Sequence, residues 1–145
     1  MSGDTRPVLC PSAQPDMPGA VAFGVVGGTA DEPRVAWIQR PVPVSPELLA
    51  VAKPVPATQV MRFAAACQEK SCVHFDGINC RLATRIVANL PVVTEDLPAC
   101  HVRRDCRWFH QEGGAACRRC PQVVTLCAHP SEVMDRTAMP EGNTP

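Results

Sequence analysis

Eight of this chain's nine cysteines fall between Cys67 and Cys127, a stretch of 61 residues, and no other feature limits the fold as strongly. At that density thiols form either a disulfide framework or a set of metal ligands. The start of the chain argues against the framework. Met1 to Pro18 is polar and broken by prolines, and it lacks the basic and apolar regions of a secretory signal. The expected compartment is therefore the cytoplasm, where thiols stay reduced. The odd cysteine count agrees, because complete pairing would leave one thiol over.

A staple is also what the remaining composition calls for. The 145 residues suffice for one domain, but Ala, Val and Pro supply much of the apolar content, and the aromatics are four Phe and two Trp. At roughly 25 cal/mol per Å² of buried apolar surface, such small side chains stabilise a core weakly. Sixteen prolines and nine glycines interrupt regular elements. The expected fold is a small α+β unit, cysteine-rich and metal-stapled, with an N-terminal hairpin followed by three or four short helices and irregular loops. No run of about 18 apolar residues exists, so no membrane-spanning helix and no membrane partner are expected. Net charge is zero, but residues 61–127 carry nine Lys and Arg against six Asp and Glu. That excess suits an anionic thiolate centre and is too small for nucleic-acid binding.

Along the chain, residues 1–18 read as a disordered leader, 19–57 as hairpin and proline-rich connection, 58–127 as the metal-binding domain and 128–145 as a flexible tail. Ala20–Val26 and Arg34–Ile38, separated by Gly27-Gly28 and Asp31-Glu32-Pro33, are the hairpin strands. Ser45 and Pro46 start a short helix over Glu47–Lys53. Further helices are expected from Thr58 to Cys67, from Cys80 to Leu90 with Asn79 as cap, and from Asp105 to Glu112, ended by Gly113-Gly114. In the Cys80–Leu90 segment, Leu82, Ala83, Ile86, Val87 and Leu90 share one face.

The candidate metal ligands are Cys67, Cys72, Cys80, Cys100, Cys106, Cys117, Cys120 and Cys127. Cys106, Cys117, Cys120 and Cys127 form the expected C-terminal set, and Cys67, Cys72, Cys80 and Cys100 the other. They would serve two clusters, or one cluster plus spare thiols. Cys10, 57 residues before the next cysteine, is not expected to bind metal. Structural zinc sites usually pair two short knuckles, whereas here only Cys117-x-x-Cys120 is one. Iron–sulfur clusters accept thiolates from scattered loops, and Cys120-Pro121 is similar to the Cys-Pro that closes ferredoxin ligand runs, although the full C-x2-C-x2-C-x3-C run is absent. The ligand logic favours one or two iron–sulfur clusters of the 4Fe-4S type, with zinc as the alternative. His74, His101 and His110 lie near cysteines but compete with eight thiols. Arg103, Arg104, Arg107, Arg118 and Arg119 either offset cluster charge or form a solvated face. Trp108-Phe109 either shields a cluster or simply fills the core. No catalytic constellation stands out.

Four segments also carry a resemblance. They are Phe23-Gly-Val-Val-Gly-Gly-Thr-Ala30, Cys72-Val-His-Phe-Asp76, Cys106-Arg-Trp-Phe-His-Gln-Glu-Gly113 and Ala116-Cys-Arg-Arg-Cys-Pro-Gln-Val-Val-Thr125. Together they resemble a family of short cysteine-rich bacterial proteins, some of them labelled nitrogen-fixation proteins. The resemblance implies iron–sulfur work by association and assigns no residue a role. Cys117-x2-Cys120-x6-Cys127 is also similar to the C-x2-C-x5-C of WhiB-like iron–sulfur regulators, but it is one residue too long and lacks their glycine-tryptophan turn and basic tail. The expected function is an iron–sulfur protein, for electron transfer or accessory redox work with a redox or biosynthetic partner protein. The alternative is a zinc-stabilised interaction module.

Overall fold

A computed structural model describes residues 7–29, 32–97, 99–126 and 131–138. It is a small α+β structure in which a four-stranded antiparallel sheet carries several short helices. Strands β1 (Leu9–Cys10), β2 (Val21–Gly28), β3 (Pro33–Pro43) and β4 (Met61–Ala66) lie in the order β1-β4-β2-β3.

The expected hairpin is β2–β3, paired from Val21 with Pro43 to Gly28 with Pro33. A register shift between Ala22 and Gly24 turns both Ala22 and Phe23 into the interior. Gly24 has a steric reason. A Cβ there would sit 2.6 Å from Val35 Cγ1 and 2.9 Å from the Trp37 ring. Without it, Trp37 lies across the strand and stacks on Phe23, with centroids 5.2 Å apart and planes 3° from parallel.

The expected helix from Thr58 to Cys67 is instead β4, between β1 and β2, preceded by a 3-10 turn at Ala57–Gln59. Alanine favours helix in isolation, but a short apolar run buried on both faces fits an interior strand as well. Alternation then sorts its side chains. Met61 and Phe63 pack with Ala22 and Ala52 beside helix α1 (Pro46–Ala50), while Ala64 packs with Phe23 and Val102 on the opposite face. Helix α1 starts as expected, with Ser45 accepting the Leu48 N–H and Pro46 in the first turn, and it ends earlier than expected, at Ala50.

Helices α2 (Arg81–Asn89), α3 (Arg107–Glu112) and α4 (Gly114–Cys117) complete the cysteine-rich half. Ala83, Ile86 and Leu90 of the α2 segment meet Trp108 and Ala116 in one core. Cys80, not Asn79, caps α2, and Arg85 is buried rather than off the core face: its Nε donates to the Thr137 carbonyl. Gly113, at φ +67°, separates α3 from α4.

Both ends of the chain differ from expectation. Residues 7–18 are not a loose leader: Cys10 pairs with Ala65, Pro11 and Ala13 are buried, and the Ala13 N–H donates to the Phe63 carbonyl. Nor is all of 128–145 a flexible tail. Helix α5 (Glu132–Ala138) packs Val133 and Met134 against the α2 core. Among the described residues, no helix is long and apolar enough to cross a membrane.

Candidate metal centres

The fold gathers the eight described cysteines into two groups of four, neither of which is the expected grouping. Cys100, Cys106, Cys117 and Cys120 line one cavity of about 20 Å³, and Cys10, Cys67, Cys72 and Cys80 line another of about 350 Å³. Cys100 therefore belongs with the C-terminal cysteines, and Cys10, expected to stand apart, belongs with the other three. Cys127 lies outside the described residues. The eight are free thiols.

Local structure explains the first group. A 3-10 turn over Arg103–Asp105 folds the chain back between Cys100 and Cys106, with the Arg103 N–H donating to the Cys100 carbonyl and the Cys106 N–H to the Arg103 carbonyl. Cys106 precedes α3, Cys117 ends α4, and Cys120 opens a 3-10 turn over Cys120–Gln122. Cys106 makes no strict capping bond, yet the Phe109 and Trp108 N–H groups act on its sulfur. Burial outweighs them and, with the charges of Cys120 and Cys100, pushes the Cys106 pKa up to about 12. Burial likewise raises Cys100, against a Val102 N–H that favours its thiolate.

Beneath this group lies Arg62, wholly buried on β4. Its Nε and Nη2 donate to the Pro11 carbonyl, its Nη1 to the Cys120 and Val123 carbonyls, and its Nη2 also to Cys120 Sγ at 3.2 Å. Among the described residues, no carboxylate is one of its partners. Phe23, Trp37 and Trp108 surround the guanidinium carbon at 5.4–5.6 Å. A second cation, Arg103, donates to Cys117 Sγ at 3.4 Å and lies over Phe109. Arg118 and Arg119, which sequence proximity suggested, instead donate to the carbonyls of Glu95, Leu90 and Ala115. Arg62 was missed because it lies 58 residues from Cys120 and alternation within an alanine-rich run was hidden; a lone Arg amid five apolar residues was the only signal.

Two further donors are unused. The indole Nε1 atoms of Trp37 and Trp108 are buried without a hydrogen-bond partner, and both rings line the smaller cavity. An indole N–H can only donate, so its burial without an acceptor costs free energy.

The second group is assembled by strand pairing and a tight turn. The Cys67 N–H donates to the Val8 carbonyl, which sets Cys67 beside β1. Asp76 accepts the N–H groups of Ile78 and Asn79, and these bonds hold its carboxyl below the usual range. The turn returns Cys80 to bridge with Phe75, while Gln111 of α3 grips the Cys80 N–H and carbonyl. His74 lines this cavity, and its Nδ1 pairs with Arg85 Nη2. Burial, aided by Arg85, lowers its pKa.

Among the described residues, no three Cys, His, Asp or Glu side chains meet closely enough to share a single metal ion. The cysteines line the two cavities instead. No family model, curated protein or solved structure matches this chain.

Proposed function

We propose that this chain is an iron–sulfur protein that carries electrons for a partner enzyme, with Cys100, Cys106, Cys117 and Cys120 as ligands of one cluster. The observation that carries this reading is Arg62. A guanidinium stays charged at any physiological pH, and burying it without an anion costs several kcal/mol. Its partners among the described residues are neutral carbonyls, three aromatic rings and the Cys120 sulfur, so negative charge on the cysteine group beside it would be stabilised. A bound cluster supplies reversible one-electron chemistry and makes every ligating thiol anionic.

The chain's own residues then act in three ways. Arg62 and Arg103 stabilise negative charge on Cys120 and Cys117, which favours the reduced, more anionic state and raises the potential. Trp37, Trp108 and Phe109 keep water away and narrow the solvent's influence on that potential. The Phe109 and Trp108 N–H groups would donate to the Cys106 sulfur.

Anaerobic reconstitution with iron and sulfide tests the reading. Broad absorption near about 400 nm, acid-labile sulfide and a reducible paramagnetic signal are expected of an iron–sulfur centre. Stoichiometric zinc without sulfide or visible colour would instead establish the zinc-stabilised interaction module.

A further inference from the structure

We propose that Cys10, Cys67, Cys72 and Cys80 hold a second iron–sulfur cluster, separated from the first by Trp108 and by the pairing of Leu9 with Cys106. The kind of metal rests on the function proposed above; the ligand set rests on the fold. These four cysteines line one cavity of about 350 Å³. Cys10 is no stray thiol of a loose leader. Strand β1 fixes it opposite Ala65, one residue from Leu9, which bridges to Cys106 of the first group.

A cation serves this group too. Arg107 interacts with the Cys67 sulfur, binds Glu69 at 2.7 Å through Nη2 and lies over Phe75. Its Nε is buried without a hydrogen-bond partner, and the residue lines the cavity. That leaves one charged donor available to an anionic guest.

The two groups also share a recipe. Each contains one cysteine followed by proline, Cys10-Pro11 and Cys120-Pro121, and one that caps a helix and precedes arginine, Cys80-Arg81 and Cys106-Arg107. The recipe crosses the wall between the groups. Cys10 lines the larger cavity while Pro11 lines the smaller one, and Cys106 faces the smaller while Arg107 faces the larger. Trp108 lines both. Two clusters so placed would share one side chain as their partition, and an electron delivered to either would be within reach of the other.

Iron and acid-labile sulfide per full-length chain decide the matter after anaerobic reconstitution. Wild type should hold about eight irons and about eight sulfides, and Cys10→Ala about four of each. Cys72→Ala, outside the sheet, should repeat the loss of about half if Cys10→Ala folds poorly. Cys120→Ala should lose the other half, and the Cys10→Ala/Cys120→Ala double variant should hold almost none. Cys127→Ala should keep about eight. Reduced wild type should give a spin-coupled paramagnetic spectrum that either half-loaded variant simplifies. About four irons in wild type, unchanged in Cys10→Ala and Cys72→Ala, would overturn the second cluster and leave the first standing. Loss of iron in Cys127→Ala would overturn the ligand grouping. Wild type with no iron or sulfide would overturn the iron–sulfur function itself, and this inference with it.

Discussion

Arg62 concentrates the physical chemistry of this molecule in one side chain. It sits in the sheet with its charge pressed against a sulfur, and its donors close the carbonyls of Pro11, Cys120 and Val123. Arg62→Met keeps much of the volume but strands those carbonyls, each at about 1–3 kcal/mol. The expected outcome is a loss of about 3 kcal/mol or more in urea unfolding, together with a lower midpoint potential in any cluster that assembles. A variant as stable as wild type would refute the role given to this cation. Cys106 makes a separate prediction for the metal-free chain. Its folded pKa is raised from 9.0 to about 12 by burial, so the fold favours the protonated thiol. The stability this contributes is fully present below pH 9 and is lost as pH rises from there toward 12. Metal-free protein should therefore melt at progressively lower temperature above pH 9, and Cys106→Ala should flatten that slope.

At the scale of elements, the sheet matters because it aims side chains at the cysteines. Strand β4 puts Phe63 toward α1 and Arg62 toward Cys120, while Gly24 lets Trp37 lie flat against Phe23. Gly24→Ala would press a methyl group into a β-branched side chain and an indole ring, neither able to yield easily. The expected cost is about 1–3 kcal/mol, with a weakened near-ultraviolet circular dichroism signal as Trp37 tilts. Unchanged stability and an unchanged aromatic signal would mean that the crossing is looser than the geometry indicates. The hairpin, α1, α2 and α3 were all legible in the sequence, since each has its own local punctuation: the Gly-Pro turn, Ser45-Pro46, Pro91 and Gly113. Strand β4 was not, because alanine carries no strand signature and only β1 and β2 on either side decide its state.

For the whole molecule, the core and the candidate metal centres are one structure. Cys80, Cys106 and Cys120 belong to the same buried cluster as Ile86, Leu90 and Trp108. Metal binding at a small site contributes on the order of 10 kcal/mol, as much as a domain's entire stability. Stripping the metal should consequently lower the melting temperature sharply and leave the thiols open to alkylation. Equal melting temperatures with and without metal would show that the apolar core suffices.

The sequence by itself determined that this chain is small, α+β and cysteine-rich, where its hairpin and three of its helices lie, and that eight thiols crowd one region. Those properties are local: they follow from turn residues, caps and periodicity within a few positions. It could not group the sulfurs. Cys10 stands 57 residues from its nearest cysteine, and only strand pairing brings it beside Cys67. Cys100 joins Cys106, Cys117 and Cys120 through a 3-10 turn with no sequence signature. The arginine at the sulfur came from β4 and not from the Cys117–Cys120 loop, because a strand's alternation, once its register is set, selects the face. Which atoms meet across 58 residues is fixed by packing, and packing is a property of the folded chain as a whole.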